Sequence, residues 1–210
     1  MGIFNPENGI YRYTEKLVDL ILLSIFWVAC SLPLVTLGPA TAALYNTVVR
    51  CIRHNERNSW GMFFTTFKNN LKVGVLTSLV VIPVAVILIF LYDLLYQSAQ
   101  LNSTGYVLFY AYQIFLLLPV GAACYLFPVL SRFTFQVGGL IGTCAKLAIA
   151  HLPSTILLAV IFFAAVTLCS NLILFLFLLP TIVALLHSFL LERIFKPYID
   201  AQRGTPEEEE

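Results

Sequence analysis

The sequence predicts an all-α, polytopic helical membrane protein with five to six membrane segments plus a cytoplasmic interfacial amphipathic helix. Three observations carry that prediction. First, 60% of the 210 residues are apolar and 11% are charged, against about 45–50% and about 25% in soluble domains. Second, Asp93, Arg132 and Lys146 are the only charges between Val73 and Leu191, too few to cover the surface of a water-soluble globule. Third, several apolar stretches reach the roughly 20 residues that cross about 30 Å of hydrocarbon. A soluble single domain is excluded. The formal net charge of +1 supplies no field for nucleic acid, so membrane lipid is an expected partner and nucleic acid is not.

One helical membrane domain is expected over residues 1–199. The start of the chain lacks a basic region leading into a short apolar core and a small-residue cleavage site, so the first apolar segment, 17–37, is expected to be retained. It carries only Asp19, one helical turn after Lys16, with which a local ion pair is expected. Gly38-Pro39 then reads as a helix stop followed by a helix start. The next segment, 39–53, is rich in small and mildly polar residues, which suits burial among helices better than contact with lipid.

Ser59 is a candidate helix cap, and Trp60, Phe63, Phe64, Phe67 and Leu71 follow at three- to four-residue spacing. Lys68, Asn69, Asn70 and Lys72 occupy much of the other face. Residues 59–72 therefore predict an amphipathic helix at the cytoplasmic interface. Its aromatic residues Trp60, Phe63, Phe64 and Phe67 serve as a membrane anchor or as a docking surface for a soluble partner. Segments 73–95 and 106–130 follow, and 133–151 is a weaker amphipathic candidate. The apolar block 153–191 is too long for one crossing and is split at Ser170-Asn171 into 153–169 and 172–191. Residues 200–210, ending in four glutamates, predict a disordered acidic tail.

The twelve Lys and Arg residues choose between two topologies. With five spans, Arg12 and Lys16 fall on the side opposite the other basic residues. With six, segment 39–53 returns through the bilayer, both termini are cytoplasmic and all twelve lie inside. The positive-inside rule favours the second arrangement, in a multi-pass protein of the cell membrane.

The chain holds little that chemistry could use. His54, His151 and His187 are far apart, and HExxH, GxSxG, GxGxxG and P-loop patterns are all missing. No catalytic, cofactor-binding or metal-binding residue is assigned, no cofactor is expected, and the chain is read as not an enzyme. Cys30, Cys51, Cys124, Cys144 and Cys169 show no CxxC pair and read as reduced thiols. Asn46, Asn171 and His187 are the candidate intramembrane polar residues: the amides as helix–helix glue, the imidazole as a neutral group bonded to Ser188, a carbonyl or a neighbouring helix. Pro83, Pro119 and Pro180 fall near the middle of predicted spans. Kinks explain them, while an alternative is a stand-alone small-solute transporter or channel with proline-interrupted helices. The cytoplasmic EAA loop through which importer permeases dock their ATPase has no match around Leu152-Pro153.

The run FNPENGIYRYTEKLVDLILLSIFWVACSLPLVTLGPATAALY, then WGMFFTTFKNNLK and later FPVLSRF, resembles the YesL-like family of small multi-pass bacterial membrane proteins. The most specific part is the motif from Ser31 to Ala40, with Pro33, Gly38 and Pro39. The family, mostly from Gram-positive bacteria, is built around a domain of unknown function and has no established site residues to carry over. Its members are typically encoded beside carbohydrate ABC transporters, two-component sensors and glycan-degrading enzymes. The resemblance therefore implies an accessory or regulatory role in carbohydrate uptake, with importer subunits or a sensor kinase as partners.

Overall fold

The computed structural model describes residues 9–204 except 55 and 57, and the side chains of residues 16–200 apart from these two and 173. Every regular element among them is helical: α1 (Gly9–Ser31), α2 (Leu37–Thr47), α3 (Ser59–Leu101), α4 (Ser103–Arg132), α5 (Val137–Ala150), α6 (Leu152–Asn171) and α7 (Leu179–Gly204). Short 3₁₀ turns precede α2 (Leu34–Thr36) and α7 (Ile173–Phe177), and α2 continues into a π turn, Val48–Arg53. Of these helices α3, α4 and α6 are long and apolar enough to cross a membrane.

The link from α1 to α2 shows what the Pro33–Pro39 motif does. Pro33 is extended, with φ −76° and ψ 106°, and its carbonyl accepts from the Thr36 backbone N–H at 2.8 Å. The Thr36 hydroxyl lies 2.6 Å from the carbonyls of both Cys30 and Pro33. Pro39 then sits in the first turn of α2, where its missing N–H costs no helical bond. Gly38 brings α2 against α3. Its N–H donates to Ser78 Oγ at 2.9 Å, and a Cβ there would come within 2.6 Å of the Gly74 carbonyl oxygen and 2.7 Å of Phe127. Gly74 is equally tight, because its Cβ would meet Pro39 Cδ at 2.8 Å. Small residues allow this backbone approach, as in other helix pairs inside membranes.

Helix α2 is the shared wall of two cores. On one side Ala43, Leu44, Val48 and Ile52 pack with Leu23 of α1 and Phe63 of α3. On the other, Ala42, Tyr45 and Val49 join residues of α4, α5, α6 and α7. Nearly all of α2 and its π turn is buried, as its small-residue composition suggested.

Several sequence expectations need correction. Residues 59–72 are not a separate interfacial helix but the first third of α3, whose 43 residues extend about 64 Å at 1.5 Å per residue. No glycine or proline interrupts the backbone bonds between Leu71 and Val73. Asn58, not Ser59, caps this helix, with Oδ1 accepting from Gly61 N at 3.0 Å. Ser59 instead donates its hydroxyl to Asp19 at 3.1 Å, while Lys16 Nζ donates to the Ile52 carbonyl at 3.1 Å, so the Lys16–Asp19 pair does not form. The last segment starts at Leu179 rather than 172, because residues 173–177 form a 3₁₀ turn and Pro180 takes a first-turn position. Helix α7 then runs on to Gly204, past the expected start of the tail at 200; residues 205–210 lie outside the described residues.

The contacts of Lys16 with Ile52, Arg53 with Ser188 and Arg132 with Glu192 place three basic residues at one end of the bundle, and Ser59 on Asp19 brings the start of α3 to the same end. The α3–α4 hairpin turns at Asn102 at the other end, where Gly105 lies against the Ser98 carbonyl.

Candidate functional site

At the basic end, α2 and the start of α3 enclose a polar cleft. Asn46 sits two residues before the π turn and is buried, with Nδ2 donating to Thr66 Oγ1 of α3 at 2.8 Å. The wider π winding is secured by i−5 bonding, His54 N to the Val49 carbonyl at 3.2 Å. It separates two arginines: Val48, Val49, Cys51 and Ile52 face inward while Arg50 is exposed. Arg53 reaches α7, where Nη1 donates to the Ser188 carbonyl at 2.8 Å and the guanidinium lies 4.8 Å from the Phe189 ring centre. Irregular turns of this kind recur at functional sites, and sequence periodicity gave no sign of this one.

Across the cleft, Asn58 is the only non-glycine residue with positive φ among those described (φ 75°, ψ 53°). Asparagine tolerates this left-handed conformation better than most residues, and its side chain folds over the start of α3. Gly61 must lack a Cβ there, since one would lie 2.5 Å from Asn58 Nδ2. The cleft has a volume of about 410 Å³ and is bordered by Asn46, Arg50, Asn58, Thr65, Thr66 and Asn69. Among the described residues its lining holds amides, hydroxyls, the Met62 thioether and one guanidinium, but no carboxylate, thiol or imidazole. Such a set can hold a polar or anionic ligand; it offers no acid–base pair for general catalysis.

The aromatic stripe of α3 divides beside this cleft. Phe63 is fully buried, and Phe26 of α1 packs against Trp60, Phe63 and Phe64 with ring centres 5.4–6.0 Å apart. Phe67 is half-buried and stacks on Phe63. Trp60 and Phe64 remain 52% and 42% exposed, so of the expected docking stripe only these two present large open surfaces.

The other candidate polar residues are scattered. Asn46 joins two helices as expected of a buried amide, but Asn171 is exposed and donates back to the Thr167 carbonyl of its own helix. His187 is buried with Nε2 lacking a partner; the Ser188 hydroxyl donates to the Leu185 carbonyl instead. Sequence reasoning missed a partly buried knot in which Tyr45 Oη donates to Glu192 Oε1 at 3.1 Å, and Arg132 Nε and Nη2 reach the same oxygen at 3.0 Å. Its only sequence signal is Arg132, an isolated charge after a long apolar run. Helices α3 and α4 continue through Pro83 and Pro119, and Pro180 starts α7, so none of the three interrupts a helix at mid-span. Among the described residues no group of three or more His, Cys, Asp or Glu could hold a metal ion.

Residues 20–94, which run from α1 through the cleft into the second half of α3, match the family model described as "Protein of unknown function, DUF624". "Uncharacterized protein YesL" of Bacillus subtilis (strain 168) is 27% identical over 161 residues, covering 75% of each chain. The chain is thus similar to YesL over three quarters of its length. No solved structure matches it. The stretch matched by the family model contains the Gly38–Gly74 crossing, the π turn and every described residue bordering the cleft.

Proposed function

We propose that this helical membrane protein is a non-catalytic accessory or regulatory subunit of carbohydrate uptake, contacting an ABC importer or its sensor kinase. The observation that supports this reading is the pair Trp60 and Phe64, open at the basic end beside Lys68 and Lys72 while the rest of the stripe is engaged by α1 and α2. Aromatic residues flanked by charge are typical anchors of protein interfaces. By the positive-inside rule this end faces the cytoplasm, where the ATPase subunits of importers and the catalytic domains of kinases reside. The family's association with carbohydrate-uptake genes supplies the choice of partner.

Affinity purification from native membranes in mild detergent tests the reading. Importer or kinase subunits are expected to co-elute with the wild-type chain and to be lost with Trp60→Ala/Phe64→Ala, both sites being exposed enough to leave the bundle folded. Recovery of a folded chain without either subunit overturns it.

A further inference from the structure

We propose that the cleft between α2 and the start of α3 binds a hydroxyl-bearing phosphate ester, the glycerophosphoryl group carried by phosphatidylglycerol or by its free soluble form. The cleft is the right size: about 410 Å³ is more than ten times the roughly 30 Å³ share of one liquid water, room for a headgroup and a few waters.

Its chemistry is selective for that group. Arg53 and Arg132 are engaged by the bundle, on Ser188 and Glu192 respectively. Arg50 is exposed, borders the cleft and forms no ion pair among the described residues. A guanidinium fork suits two phosphate oxygens at once, and no carboxylate among the described lining residues competes for it. The N-terminus of α3 opens on the same space through Asn58 and Gly61, adding a partial positive charge from the helix.

The remaining groups address hydroxyls rather than charge. Asn46 is only 8% exposed; its Nδ2 donates to Thr66, and Oδ1 has no side-chain partner among the described residues. An amide oxygen that borders open polar space is completed by a ligand O–H. Thr65 and Asn69 supply further exposed donors and acceptors on the α3 wall. Trp60 and Lys72 on the same stretch of α3 set the level of the cleft at a membrane interface, where headgroups lie. The site is independent of whether a transporter or kinase subunit docks on Trp60 and Phe64.

The full chain in phosphatidylcholine nanodiscs, analysed by native mass spectrometry, provides the test. One arm includes phosphatidylglycerol in the bilayer and the other adds soluble glycerol phosphate. A retained adduct is expected in at least one arm, weakened about tenfold by Arg50→Gln, the loss of one charge-assisted contact. Lys68→Gln, which removes an equal charge outside the cleft, should leave it unchanged. An adduct confined to the first arm assigns the lipid, and one confined to the second assigns the free ester. Thr65→Val and Asn69→Leu, both at exposed positions, repeat the measurement should Arg50→Gln fail to fold. No preference over phosphatidylcholine in either arm overturns the proposal. So does equal binding by these variants and wild type, or equal weakening by Lys68→Gln.

Discussion

Helix α2 and the α3–α4 hairpin are packed in opposite senses. In α2, small residues are sealed inside: Ala40, Ala42, Ala43 and Thr47 have no exposed surface. In the hairpin, many large apolar side chains point outward, Ile89 at 68% exposed, Phe90 at 67%, Val107 at 67% and Ile114 at 71%. A protein in water would gain by the reverse arrangement. In lipid, burying isoleucine against another helix gains little, because the acyl chains are as apolar as the helix surface. Close backbone approach and satisfied polar groups hold the bundle instead. Helix α3 spans both regimes: its buried residues, Ser59, Phe63, Thr66, Gly74, Thr77 and Ser78, all lie in its first half.

The strongest way to break this contrast is at the α2–α3 crossing. Gly38→Leu would drive a side chain into the Gly74 carbonyl and Phe127, and overpacking at a backbone contact costs about 1–3 kcal/mol or more. We expect a large fall in monodisperse yield and in thermal midpoint in detergent; a wild-type melting curve would contradict the role given to the motif. Next is the Tyr45–Arg132–Glu192 knot. Arg132→Ala strands a carboxylate that is only 18% exposed, at an expected cost of about 2–3 kcal/mol. Arg132→Met/Glu192→Met should recover most of that loss in the same denaturation assay, which separates a stranded charge from lost packing. The smallest effect is expected at the outward residues. Ile89→Ala and Ile114→Ala should change stability by no more than about 0.5 kcal/mol. A larger loss would mean that these side chains meet protein rather than lipid.

Local signals made much of the fold readable. The apolar stretches and few charges define helices and membrane exposure, and the small residues of 39–53 correctly indicate burial. Pro33, Gly38 and Pro39 mark a sharp connection because proline and glycine act on their own backbone, whatever surrounds them. The 3.6-residue spacing of Trp60, Phe63, Phe64 and Phe67 identifies one face of a helix. It does not say that Phe26 of α1 and Leu23, Leu44 and Val48 would claim Phe63. The cleft was not readable in the sequence either, since Asn46 and Thr66 are twenty residues apart and the π turn shows no compositional mark. By sequence Pro180 falls at mid-span for a related reason. An apolar run carries no information about where its backbone bonds stop, and the 3₁₀ turn at Ile173–Phe177 is as hydrophobic as the helices beside it.

The sequence by itself determined that this chain is a set of apolar helices for a membrane, with its basic residues gathered in a few short regions. Hydrophobicity, charge and proline are properties of single residues or short windows, so they survive reading in one dimension. Tertiary structure decided that Lys16, Arg53 and Arg132 share one end, that a 43-residue helix absorbs the expected interfacial one, and that Asn46 and Arg50 meet the start of α3 around open space. Those outcomes depend on which helices can approach closely. That choice rests on contacts such as Gly38 against Gly74, between residues thirty-six positions apart in the chain.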